Sequence, residues 1–289
     1  MKWDGNGSVV CDHPREAWLA PRDSHAFVHY KLEQLKGTDP AYGNQRATYQ
    51  LAHDKAKTAF DVEVALDIVE RCIQEPVLDR LADVVFETRK SPIFVFPHLP
   101  FDDEDEVVGN RALTGTATNA LPFAYARFLA ETLGGTISSD IIQIARVGRT
   151  RLPRWLKFIC QPAFEGPVDR TRPYLILDDV MATGGTLAAL RSYIIRHGGS
   201  VAGTTALANK TGLHQKFAIA DQTLNVLKST YGSGLERYWK ETFGHDLHAL
   251  TEDEAQFLAL FPAEFGGRRG DELLLGLRER INQAAAKGG

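Results

Sequence analysis

The sequence predicts an α/β fold: a mainly parallel, twisted sheet flanked by helices, with helical additions at both ends. Three observations carry that expectation. The run Tyr174-Leu175-Ile176-Leu177 is strand-like, ends in the adjacent acids Asp178 and Asp179, and passes through a small-residue loop into a helical pattern at 187–197. Two further apolar runs, Ile93 to Phe96 and Val201 to Ala208, have the length and composition of buried strands. Around them, apolar residues recur at helical spacing. The order of these elements implies right-handed crossovers between parallel strands.

The elements can be justified in chain order. Residues up to about Pro21 show no period, with Trp18-Leu19 as a docking point. Helical spacing starts near Ala47 and is clearest at Val62, Ala65, Leu66, Val69, Cys72 and Ile73. After Pro76, a second stripe runs through Leu78, Leu81, Ala82, Val85 and Phe86. An αα unit over roughly 26–89 is expected, inside an N-terminal segment 1–90. It would serve as a cap over the ligand end of the sheet, or as a packing or dimer element that leaves a homodimer open. His25, His29 and His53 lack metal-ligand spacing and read as surface or core histidines.

The core segment is expected over 91–212. Ile93 to Phe96 is its first strand, closed by Pro97, and the acidic run Asp102 to Glu106 reads as a solvated loop. Asn119 has helix-cap chemistry, Pro122 suits a first turn, and Phe123, Ala126, Ala130 and Leu133 share a face up to Gly134-Gly135. Asp140 to Arg146 reads as the next strand. Arg146, Arg149, Arg151, Arg154 and Lys157 then follow without an intervening acid. Arginine forks pair bidentately with phosphate oxygens, so this segment reads as an anion-binding loop or a solvated basic surface. Only Trp155 and Phe158 interleave as aromatics, thin support for an RNA-contacting patch.

The remainder, 213–289, is expected to be a mostly helical extension. Lys216 to Tyr231 fits helix or strand. Thr251 and Glu254 form a capping box that opens a helix through Phe261, stopped by Pro262. Asp271 to Ala286 reads as a final helix with Leu273, Leu274, Leu277 and Ile281 on one face. His245 and His248 share a helical face but lack a carboxylate partner, and read as structural.

The chemistry concentrates at 178–186. Gly184 and Gly185 let the backbone turn sharply and bring N–H groups close to an anion. Thr183 and Thr186 add hydroxyls, and a helix begins there with its positive dipole end. One phosphate fits this cradle. Asp178 and Asp179 would repel it, so they are suited to sugar hydroxyls or to helping hold a cation. A phosphate on one side and a diol on the other describes a ribose 5-phosphate. A Walker-B reading lacks its G-x-x-x-x-G-K-[ST] partner, and an aspartyl-phosphate phosphatase would separate the acids by one residue.

The stretch Leu177-Asp178-Asp179-Val180-Met181-Ala182-Thr183-Gly184-Gly185-Thr186 resembles the PRPP-binding signature of type I phosphoribosyltransferases. Its second half, with Leu187, looks most like the adenine phosphoribosyltransferase wording. The resemblance extends over about Ser91 to Thr211. It implies that Asp178 and Asp179 bind the ribose 2′- and 3′-hydroxyls, act as the catalytic acids and orient Mg²⁺ indirectly. It implies that Ala182, Thr183, Gly184, Gly185 and Thr186 bind the 5′-phosphate. The loop after the first core strand would contact pyrophosphate, and Pro97-His98-Leu99-Pro100 stands there without the family's glycine or basic residue. The basic segment resembles the family's flexible loop, with Arg146, Arg149, Arg151 and Arg154 as pyrophosphate ligands on a lid.

The implied activity is a Mg²⁺-dependent transfer of 5-phosphoribosyl from PRPP to a nucleobase-like acceptor, with purine salvage favoured by the motif wording. Two alternatives share the fold: a non-catalytic PRPP sensor of the purine-repressor kind, and a competence-associated domain. Length and charge set the remaining expectations. The 289 residues exceed one such domain, so the core needs additions. A net charge of −4 argues against a nucleic-acid footprint. No apolar run reaches membrane-span length. Cys11, Cys72 and Cys160 are an odd, scattered set that reads as reduced thiols, from which a cytoplasmic location is expected.

Overall fold

The computed structural model describes residues 2–3, 9–10, 14–18, 25–99, 106–107, 110–111, 119–144, 162–210 and 214–288. Six strands form its main sheet: β1 (His25–Lys31), β2 (Ile93–Val95), β3 (Thr136–Ser138), β4 (Pro173–Met181), β5 (Ser200–Asn209) and β6 (His214–Lys216). Helices α1 (Arg46–Thr58), α2 (Val62–Cys72) and α3 (Glu75–Thr88) lie between β1 and β2 in sequence. Helix α4 (Leu121–Leu133) precedes β3, and α5 (Gly185–Arg196) links β4 to β5. After β6 come α6 (Asp221–Tyr231), α7 (Gly234–Phe243), α8 (Glu252–Leu260) and α9 (Gly270–Gly288).

The order across the sheet is β6-β1-β5-β4-β2-β3. Neighbours are parallel except β6, which runs antiparallel to β1 at one edge. This is the mainly parallel sheet that the sequence predicts, and β4 lies near its middle. Its alternation divides the core. Leu175 and Leu177 join a cluster with Ala56, Ala65, Ile68, Leu81, Leu121, Tyr125 and Leu129 from α1 to α4. Tyr174 and Ile176 join a second cluster with Leu187, Leu190 and Ile194 of α5. Side chains of successive strand residues point to opposite faces, so one nine-residue strand supplies both layers.

A third cluster lies wholly after β6. Leu224, Leu227, Tyr231, Trp239, Phe243, Leu258, Phe261, Leu273, Leu277 and Ile281 bury one another among α6 to α9. The capping box predicted at Thr251 is present: its hydroxyl accepts from the Glu254 N–H at 3.2 Å, and the Glu254 carboxylate accepts from the Thr251 N–H at 3.1 Å. The helical pattern over 271–286 is α9. The ambiguous stretch 216–231 resolves into the end of β6 followed by α6.

Three expectations are corrected. The N-terminal segment is not purely helical, because His25–Lys31 is β1, inserted between β6 and β5. Its alternation is broken by His29, which is nevertheless buried because its polar atoms are satisfied. The Gln74 N–H donates to His29 Nδ1 at 3.0 Å, so Nε2 carries the proton toward Tyr125 Oη at 2.8 Å. The chain continues from Tyr125 to Thr205 Oγ1 at 2.7 Å, and Thr205 donates to the Phe27 carbonyl at 2.8 Å. Burial holds the His29 pKa down at about 4, which keeps the ring neutral.

Secondly, the strand expected over 140–146 is a two-residue piece, Ile142–Gln143, paired antiparallel with Phe164–Glu165 outside the main sheet. The edge strand of the main sheet is instead Thr136–Ser138, which is polar and partly exposed and so carries no apolar run. Helices α1 to α3 pack into the cluster that covers β4. Thirdly, Phe86 of the second N-terminal stripe is 84% exposed. Cys72 is a buried free thiol, its pKa pushed up to about 11 by burial. No helix among the described residues is long and apolar enough to cross a membrane.

Candidate functional site

Strand β4 carries Asp178 and Asp179 to its C-terminal end, where open parallel sheets place ligands. Asp179 is buried and Asp178 half-buried. The Asp179 N–H donates to Asp178 Oδ1 at 2.8 Å. Two groups from elsewhere in the chain converge on the other end of Asp179: Lys57 Nζ of α1 at 2.7 Å and Asn119 Nδ2 at 3.2 Å, both on Oδ2. Asn119 is itself fixed by accepting from the Leu121 N–H at 3.3 Å at the start of α4. A backbone bond from the Ala120 N–H to the Ala56 carbonyl, 2.9 Å, ties α1 to that same turn.

The two acids are therefore pulled in opposite directions. Burial, then the neighbouring Asp179 charge, push the Asp178 carboxyl well above the ordinary carboxylate range. Burial would also raise Asp179, but the Lys57 charge and hydrogen bond, with the bonds from Asp178 and Asn119, hold it below that range. For Lys57, burial favours the neutral amine, and the Asp179 carboxylate more than offsets it. The pair thus has one carboxyl pushed up and one held down, with a cation against the second.

His53 stands one turn before Lys57 on α1 and is buried. Its Nδ1 lies 3.6 Å from Asp54 Oδ1, and its Nε2 is buried with no hydrogen-bond partner among the described residues. Burial and then Lys57 push its pKa down, while Asp179 opposes them.

Downstream of the acids, the loop 182–186 turns into α5. Gly184 takes φ +73° as the residue before the helix, a conformation that costs a residue with a Cβ. Gly184, as the cap residue, has no side chain to cap the helix start. The loop's carbonyls are taken from behind. Thr251 Oγ1 donates to the Thr183 carbonyl at 2.6 Å, the Ala188 N–H to Gly184 at 2.9 Å, and Arg15 Nη2 to Gly185 at 3.2 Å. A trans peptide holds its C=O and N–H on opposite sides. Each of these carbonyls being engaged, the N–H groups of Gly184, Gly185 and Thr186 point away from those donors.

The glycines have a second reason to be glycines. A Cβ on Gly184 would stand 2.3 Å from the Phe217 ring, and one on Gly185 would stand 2.5 Å from Glu254 Oε1. Arg15 and Glu254 form a buried ion pair, with Nη2 to Oε1 at 2.9 Å. Phe217 stacks on Trp18 at 4.8 Å between centroids, and the Arg191 guanidinium covers Trp18 at 4.3 Å. Trp18 is thus docked as expected. The absence of side chains at 184–185 admits the rest of the protein as well as an anion.

The structure brings together Asp178, Asp179, Ala182, Thr183, Gly184, Gly185 and Thr186 in one β4–α5 turn. Arg146, Arg149, Arg151 and Arg154, the lid residues expected to bind pyrophosphate, lie outside the described residues. His98 follows β2 and is buried, with Nδ1 2.9 Å from the Leu99 carbonyl oxygen. Lys57, His53 and Asn119 are not marked as site residues by the sequence, where Asn119 reads only as a helix cap and His53 as a surface or core histidine. The i, i+4 spacing of His53 and Lys57 puts them on one face of α1, but nothing local marks that face as the one meeting β4.

Among known proteins, no family model matches the chain. It is 29% identical over 226 residues to protein TraN of Escherichia coli, covering 78% of this chain and 46% of that protein. An uncharacterized protein of Haemophilus influenzae is 29% identical over 150 residues, 52% of this chain and 30% of its own length. The chain therefore spans less than half the length of these two relatives. An adenine phosphoribosyltransferase of Mycobacterium marinum is 26% identical over 172 residues, 53% of this chain and 92% of that enzyme. A solved adenine phosphoribosyltransferase from Thermoanaerobacter pseudethanolicus aligns with TM-score 0.26 and 16% identity, over 49% of this chain and 72% of its own. At that TM-score the fold rests on the sheet's own topology. In sequence, the chain is similar over about half its length to an adenine phosphoribosyltransferase, and over a longer stretch to part of a TraN protein.

Proposed function

We propose that the chain binds PRPP at the β4–α5 turn and transfers its 5-phosphoribosyl group to a nucleobase acceptor, a purine being favoured. The observation that supports this most is the junction itself. An acid pair with one carboxyl held ionised runs directly into a loop whose carbonyls are engaged behind and whose N–H groups face away from them. Asp178 and Asp179 would accept from the ribose 2′- and 3′-hydroxyls. Thr183, Gly184, Gly185 and Thr186 would hold the 5′-phosphate, aided by the α5 dipole. Lys57 and Asn119 would keep the Asp179 carboxylate ionised and aimed.

Displacing pyrophosphate from an anomeric carbon builds positive charge on the sugar and negative charge on the leaving group. Arg146, Arg149, Arg151 and Arg154 would serve that leaving group. The donor set does not fit a direct metal site at the acid pair. Asp178 Oδ1 accepts from the Asp179 N–H, Asp179 Oδ2 already accepts from Lys57 and Asn119, and the described residues contain no cluster of three metal-ligating side chains. Mg²⁺ would accordingly be carried by the pyrophosphate oxygens of PRPP and be oriented only indirectly by Asp178 and Asp179.

The deciding experiment incubates the protein with PRPP, Mg²⁺ and a panel of purine and pyrimidine bases and reads pyrophosphate. Base-dependent release is expected, with a purine as the best acceptor. PRPP binding without release would favour the second reading, a PRPP sensor, for which the grip of α8 on the loop is the supporting observation. If PRPP neither binds nor reacts, both readings fail.

A further inference from the structure

The most unusual feature of the phosphate loop is what stands behind it. Helices α6 to α9 bury a cluster of their own, yet the start of α8 reaches back to the β4–α5 turn. One relay is polar: the Glu254 N–H donates to Thr251 Oγ1 at 3.2 Å, and the Thr251 hydroxyl donates to the Thr183 carbonyl at 2.6 Å. A hydroxyl has one proton to give, and this one is given to the loop. A second relay is ionic: the Glu254 carboxylate holds the Arg15 guanidinium, and Arg15 Nη2 donates to the Gly185 carbonyl at 3.2 Å. A third contact is steric, with Phe217 filling the space that a Cβ on Gly184 would need. Phe217 in turn accepts the Glu252 N–H on its carbonyl at 2.9 Å, so it is fixed to the same helix start.

We infer that Thr251 is a positioning residue of the phosphate site, and that docking of the C-terminal helices and anion binding at 183–186 form one linked equilibrium. Each loop peptide gripped on its carbonyl side has its N–H aimed, so the C-terminal unit sets the shape of the cradle. Linkage is reciprocal: what the helices do for the anion, the anion does for the helices. The inference rests on the reading of 182–186 as a phosphate loop. It does not require turnover, and it suits the catalytic and the sensing readings alike. A partner that pulls on α8 would then tune phosphate affinity, and an occupied loop would be felt at α8.

The test titrates ribose 5-phosphate by calorimetry into the full chain as wild type, Thr251→Val and Thr251→Ser. It also follows amide hydrogen exchange over 251–258 of the wild type with and without ligand. The expected result is binding by the wild type with slowed exchange at 251–258, and about tenfold weaker binding by Thr251→Val, the loss of roughly one net hydrogen bond. Thr251→Ser keeps the donor and should stay close to wild type. Equal affinity of Thr251→Val, or α8 exchange indifferent to bound ligand, would overturn the inference while leaving the phosphate loop standing. Failure of the wild type to bind ribose 5-phosphate would overturn the loop reading and this inference together. Coupled binding without pyrophosphate release in the base panel would sink only the catalytic reading. The exchange measurement needs no variant and decides the matter even if Thr251→Val does not fold.

Discussion

The two additions to this sheet relate to it in opposite ways. Helices α1 to α3 have no core of their own: Ala56, Ala65, Ile68, Val69 and Leu81 are buried against Leu175 and Leu177 of β4. Helices α6 to α9 bury a separate cluster and reach the turn after β4 through polar bonds, an ion pair and one aromatic ring. The N-terminal addition therefore shares the sheet's core and brings Lys57 to the acid pair. The C-terminal addition is a neighbour that holds the loop from behind. A residue delivered by shared core is placed rigidly, whereas a loop held by a few polar bonds can be let go.

Core truncation should separate the two most strongly. Leu81→Ala is expected to destabilise the sheet domain by about 2–5 kcal/mol. Leu258→Ala should open α6 to α9 to hydrogen exchange while β4 and β5 stay protected. Equal loss of protection in both regions for both variants would erase the distinction. Next in size, Asp179→Asn should lower pyrophosphate release by about a hundredfold, the worth of a charge-assisted hydrogen bond, with the circular dichroism unchanged. Unaltered kinetics would remove Asp179 from the site.

Lys57→Met probes the delivered residue. It leaves a buried carboxylate without its cation, and about 1–2 kcal/mol of stability should be lost at neutral pH, less than for a fully dry pair because Lys57 is partly exposed. The Asp179 contribution also has a sign. Its folded pKa is depressed, so its stabilisation is present above the ordinary carboxylate range and is lost as pH falls through the lower, folded value. In Lys57→Met that acid limb should move to higher pH. A superimposable profile would show that Lys57 does not govern Asp179.

Much of this was legible in the sequence, and the exceptions share a cause. β4, α5, β5, α4 and the α8 capping box carry local signals: an apolar run, a small-residue turn, a period, a cap. β1 and β3 do not. His29 looked polar because the chain alone cannot show that Gln74, Tyr125 and Thr205 satisfy it and its ring-bonded partner. Lys57 stands 122 residues from Asp179, and their meeting is set by packing of α1 on the sheet. The glycines were read correctly as a sharp turn, while their second role, making room for Phe217 and Glu254, depends on a segment that follows much later.

The smallest effect concerns one histidine in each region. Burial holds His29 in β1 at about 4, and burial with the nearby Arg15 charge holds His245, just after α7, at about 4. Both lie below the ordinary 6.5, so the unfolded chain takes up the proton first. Stability is full above about 6.5 and is lost as pH falls from there toward the folded value. Protection factors, taken relative to intrinsic exchange at each pH, should fall in β1 and in α7 between pH 7 and pH 5, independently of ligand. A region that shows no change has a histidine that is not held neutral.

The central claim is that the β4–α5 turn binds the phosphoribosyl end of PRPP. Calorimetric titration of PRPP with Mg²⁺ into the protein, with ribose 5-phosphate as competitor, addresses it most directly. Saturable one-to-one binding that ribose 5-phosphate displaces is the expected result. No measurable binding, or binding that ribose 5-phosphate leaves untouched, would contradict it.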